Sequence, residues 1–159
     1  MRTRERPDRP STVQEGSRNH VNRIDLIRQR LADADGLAAV LAAGWDALEL
    51  ITAIASASAG KSPDMYPAFT LARGAAVTGR NVIAFAPSMP PPADAAHNVP
   101  EPVGGTDQIA DALAHLASAL SMRLRQSAEL AADPADRCAC EDAADEADRI
   151  TRLLAKDVS

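Results

Sequence analysis

Asp111 and His115 stand four residues apart, the spacing at which a helix presents two metal ligands on one face. A metal site needs further donors, and reflection through the turn near Asp133 sets this pair beside Thr151 and Ala155 rather than beside Glu141 or Asp145. Neither Glu nor Asp stands three residues before His20, His97 or His115, which removes the Glu-x-x-His pairs of di-iron helical bundles. Cys138 and Cys140 form a C-x-C which, on a helix, points the two thiols about 200° apart, so they neither bridge nor clamp a metal and are expected to stay reduced. The acidic run Glu141, Asp142, Asp145, Glu146 and Asp148 is interleaved with Arg137, Arg149 and Arg152. It reads as a solvated face carrying the pairs Asp145–Arg149 and Asp148–Arg152. No metal and no cofactor is expected.

The string from Ala55 to Ser62 resembles the Walker A loop of P-loop nucleotide hydrolases in its last three residues, Gly60-Lys61-Ser62. Ala55 replaces the first glycine, the preceding residues read as helix rather than buried strand, and Pro63 follows directly, so a helix end and turn is the reading adopted. No Ser/His/Asp or Cys/His arrangement can be assigned, and no catalytic residue is expected. Only four aromatics (Trp45, Tyr66, Phe69, Phe85) are present, which excludes a stacking platform for bases or sugars.

Two other sets remain. Trp45, Tyr66, Arg73 and Arg80 could meet between the second and third helices, where two arginines seven apart could hold an anion. Arg23, Arg28 and Arg30 belong to a basic N-terminal region with eight arginines against four acids through Arg30, a net of +4 that leaves −9 for the rest of the chain. Such an arm could neutralise nucleic-acid phosphates.

These residues are positioned by an all-helical pattern. Residues 1–18 are charged, contain two prolines and are expected to be a disordered basic arm. Val21, Ile24, Ile27 and Leu31 recur at helical spacing and predict an amphipathic helix over 19–33, ended by the break Ala34-Asp35-Gly36. A second helix over 37–59 carries Leu37, Leu41, Gly44, Leu48, Ile51 and Ala55 on one stripe, with Val40, Leu50 and Ile54 beside it. A third over 64–85, opened by Ser62-Pro63-Asp64, shows Met65, Phe69, Ala72, Ala76, Gly79 and Ile83, flanked by Leu71, Ala75 and Val82. Residues 87–105 form a proline-rich crossover linker. A fourth helix over 107–132, capped by Thr106, presents Ile109, Leu113, Leu116, Leu120 and Leu124; a fifth over 134–156 opens at Asp133-Pro134 and buries Ala139, Ala143, Ala147, Ile150 and Leu154.

The fold class is therefore all-α, one domain over 19–159, a four-helix bundle with an extra N-terminal helix and a long crossover. Helices two and three are apolar nearly all round, so one of their faces (Val40, Leu50, Ile54; Leu71, Ala75, Val82) is expected to meet another chain. The expected function is that of a small non-enzymatic interaction or regulatory protein, self-associating through helix surfaces. A nucleic-acid-associated regulator and a small-ligand bundle or enzyme are the alternatives. No membrane span is expected, because Asp46 and Glu49 interrupt the best apolar stretch. The start lacks an apolar leader, and the arginine- and alanine-rich usage is that of high-GC bacterial genomes, so a bacterial cytoplasmic protein is expected.

Overall fold

The computed structural model describes residues 12–91 and 105–155, with side chains from Arg23 onward. Five helices pack together: α1 (Thr12–Asp33), α2 (Leu37–Ala59), α3 (Tyr66–Ala84), α4 (Thr106–Leu130) and α5 (Pro134–Leu154). Among the described residues there is no strand.

The local signals for α5 act as their chemistry dictates. Asp133 caps it, with Oδ1 accepting from the Ala135 N–H at 2.8 Å, and Pro134 occupies the first turn, where a missing N–H costs nothing. Elsewhere the boundaries shift. α1 begins at Thr12, so residues 12–18 are helical rather than part of a disordered arm. Ser11-Thr12-Val13-Gln14 has the spacing of a capping box, a start signal consistent with this boundary. The rest of the arm, residues 1–11, lies outside the described residues, as do 92–104 of the linker. α3 begins at Tyr66, because Pro63-Asp64-Met65 forms a turn and Pro67 is the proline in the first helical turn. Gly105, not Thr106, is the α4 cap.

The core is built from the expected stripes. Leu41, Leu48, Ile51 and Ala55 of α2, Phe69, Ala72, Ala76 and Ile83 of α3, Leu113, Leu116, Leu120 and Leu124 of α4, and Ala143, Ala147 and Ile150 of α5 are all fully buried. α2 pairs with α3, α3 with α5 and α4 with α5 along most of their lengths; α2 meets α4 more lightly, and α1 lies on α2 and α4. Small residues set the spacing. A Cβ on Gly44 would stand 3.2 Å from Leu120 Cδ1 and 3.4 Å from Ile83 Cδ1, so the start of α2 sits against the ends of α3 and α4, antiparallel to both.

This packing corrects the expected interface. Val40, Leu50, Ile54 and Ala75 are between 1% and 5% exposed, covered within their own chain, and Val82 is half-buried; of the six, Leu71 alone is exposed. Leu50 lies one helical turn from Asp46, which bonds to Arg30 of α1 at 3.0 Å, so α1 is on that face of α2. The Leu50 side of α2 is thus met by the chain's own leading helix, while Ala75 of α3 is covered by other parts of the bundle.

α2 is long and apolar enough to cross a membrane despite Asp46 and Glu49, with half of its most apolar window buried against the other helices. Both acids are paired, Asp46 with Arg30 and Glu49 with Arg80 at 2.5 Å.

Candidate functional site

The four residues expected to form a pocket between α2 and α3 are not brought together. Gly44 touches Ile83, so Trp45 is level with the end of α3, whereas Tyr66 is the first residue of that helix, about 25 Å away at 1.5 Å per residue. Arg80 is bonded to Glu49, and Arg73 and Tyr66 are exposed. An antiparallel hairpin places the two aromatics at opposite ends, which shared helix faces alone did not reveal.

Among the basic candidates, Arg30 is held by Asp46 and Arg28 lies 4.0 Å from Asp25. Arg23 is half-buried and also has a partner. With Asp25 and Asp33 exposed on the same helix, the described part of α1 offers phosphates a mixed surface. Among the described residues no group of three or more His, Cys, Asp or Glu is placed to hold a metal. His115 donates from Nδ1 to the Asp111 carbonyl at 2.7 Å, a bond within its own helix. Gly60-Lys61-Ser62 forms the end and turn of α2.

Sequence reasoning missed three polar ties. Arg123 of α4 donates from Nε to the Leu31 carbonyl at 3.0 Å and from its terminal nitrogens to the Ala34 carbonyl and, at 3.2 Å, to Gln126 Oε1. One guanidinium thus satisfies main-chain oxygens where α1 ends and the chain turns into α2. Asp136, 2% exposed in the first turn of α5, accepts from the Ser88 N–H at 2.9 Å and from its hydroxyl at 2.6 Å, pinning the chain just beyond α3.

In the third tie, Arg125 of α4 bonds to Asp145 at 3.0 Å and Asp148 at 2.5 Å, replacing the expected pairs along α5 with a bridge between helices. Burial opposes the charge on Asp148, but the Ser121 hydroxyl and Arg125 outweigh it and hold the carboxyl below its ordinary value. A carboxyl lowered on folding adds stability that is present above its unfolded pKa, about 3.9, and is lost as the pH falls through the folded value. In wild-type protein the melting temperature should therefore fall more steeply below about pH 4 than in Asp148→Asn. Parallel curves for the two proteins between pH 2.5 and 6 would show that the bridge adds no such dependence.

The cysteines differ. Cys138 is exposed, while burial, reinforced by the nearby charges of Asp136 and Glu141, pushes the Cys140 thiol up to about 11. A thiol reagent at pH 8 should titrate one cysteine in native protein and two in denaturant, and Cys138→Ser should remove the native reaction. Two fast thiols in the native state would contradict this placement.

What stands out on the surface is apolar. Leu26, Met122, Phe85 and Leu130 are 61%, 63%, 88% and 87% exposed. Two of them border grooves at the α1–α2 turn. One groove, of about 560 Å³, is lined by Leu26, Arg30, Asp35, Ala39, Ala42 and Ala43. The other, about 370 Å³, is lined by Asp35, Leu37, Val40, Arg123, Ser127 and Leu130. Asp35 and Ala34 belong to both, so the grooves flank one turn. No protein-family model, curated protein or solved structure matches the chain.

Proposed function

We propose that this chain is a small helical interaction protein that pairs with a second copy of itself, its contact surface centred on the α1–α2 turn. Within it, α2 to α5 form a four-helix bundle and α1 fills the seam between α2 and α4. The packing supports this arrangement, since each of α2 to α5 touches two of the others and α1 touches α2 and α4.

The observation that carries the function is Leu26 and Leu130 standing exposed beside adjoining grooves whose walls mix alanines, Leu37 and Val40 with Arg30, Asp35, Arg123 and Gln126. Apolar side chains that project beside grooves of mixed lining can be covered by the same patch on a two-fold related copy, with the polar groups at its rim. Light scattering behind a sizing column tests this. The mass should rise with concentration from 16.7 kDa toward twice that value, and Leu26→Gln with Leu130→Gln should hold it at the monomer without lowering thermal stability. A mass of 16.7 kDa at every concentration up to several hundred micromolar would remove the reading.

A further inference from the structure

The surface at the α1–α2 turn surrounds a hinge. Only residues 34–36 separate the two helices, and they contain no proline. Gly36 alone among the described residues has a positive φ, 87° with ψ 160°, a conformation essentially confined to glycine. Bringing Gly36, together with Ala34 and Asp35, into helical conformation would run α1 into α2 as one rod.

Part of the contact that fills the seam is one any copy of α1 could make. Ile24 and Leu31 are buried in it and Arg30 meets Asp46, whereas the Leu31 and Ala34 carbonyls that Arg123 takes belong to the turned form, since a continuous helix would pair them with the Asp35 and Ala38 amides. We infer, building on the proposed self-association, that α1 is exchangeable: in the dimer each copy straightens its turn and lays α1 into the α2–α4 seam of the other. The occupant is this chain's own helix, which the seam already accommodates. Exchange would also bring the two opened turns together, and with them the exposed Leu26 and Leu130 that border the turn.

Gly36→Ala tests the hinge, because a Cβ there meets nothing within 4 Å and acts through the backbone alone. Alanine is strained in the turned form and favoured in the continuous helix, which together are worth roughly thirtyfold per hinge and, with two hinges, on the order of a thousandfold tighter dimerisation. A Gly-Ser-Gly-Ser insertion after Asp35 should reverse this. Exchange itself is read from two charge variants, Arg30→Asp and Asp46→Arg, each made in the Gly36→Ala chain. Alone each opposes like charges across the seam, but in an exchanged mixed dimer both seams hold opposite charges. Native mass spectrometry of the mixture, after equilibration, should show heterodimer well above the roughly half that random pairing gives.

A random ratio would overturn exchange while leaving surface pairing intact. A Gly36→Ala protein that stays monomeric under conditions where the wild type dimerises would overturn it as well. Should Gly36→Ala not fold, the two charge variants with Gly36 retained give the same readout at higher concentration.

Discussion

Phe69→Ala is expected to cost about 3–5 kcal/mol, the largest loss from a single truncation in this chain. Phe69 is fully buried on α3, the largest of the fully buried side chains, and its ring is enclosed by a core rich in alanine that cannot collapse into the space left behind. With an m of about 2 kcal/mol per molar, the urea midpoint should fall by roughly 2 M. The internal control is Phe85, the residue that caps the same helix, which is 88% exposed. Phe85→Ala should change stability by no more than about 0.5 kcal/mol. Equal losses at the two positions would mean that α3 is rotated from the orientation described.

Asp136→Ala should be the second large effect, about 2–4 kcal/mol. It removes a buried carboxylate that accepts both the main-chain N–H and the hydroxyl of Ser88, and leaves the N–H without its partner. The consequence reaches beyond one bond, since Ser88 lies between Ala86, which is buried, and Met89, which packs on the core. Ser88→Ala removes the hydroxyl alone and should cost about 1–2 kcal/mol, with little further loss when added to Asp136→Ala. Chemical denaturation of the four proteins in the cycle checks this, and additive losses would show that the two residues act separately. Asp136→Asn, which keeps an acceptor for the N–H, should recover part of the stability.

The fold was legible wherever one helix face carries one period of apolar residues. The Leu113, Leu116, Leu120, Leu124 seam and the Phe69, Ala72, Ala76, Ile83 stripe are buried as their spacing requires. The second face of α2 was misread for a definite reason. Apolar residues at Val40, Leu50 and Ile54 announce that the face must be covered, but their spacing does not say by what, and Ile24 and Leu31 of α1 join them in the same core. The polar ties were illegible because their partners are remote in sequence. Ser88 and Asp136 are 48 residues apart, and Arg123 and Leu31 are 92 apart. Asp136, an acid in the first turn of a helix, carries no mark separating a buried anchor from a charge that favours the helix dipole. The surface at the α1–α2 turn is not legible from spacing, because Leu26 and Leu130 belong to helices far apart along the chain and border separate grooves on either side of the turn.

Hydrogen–deuterium exchange as a function of protein concentration tests most directly whether a second copy sits at that turn. Amides from Ala34 to Val40 and from Gln126 to Leu130 should exchange more slowly at several hundred micromolar than at a few micromolar, while those around Ile51 and Ala76, inside the core, stay unchanged. Exchange independent of concentration at the turn, or protection gained along the outer face of α3 instead, would contradict the account.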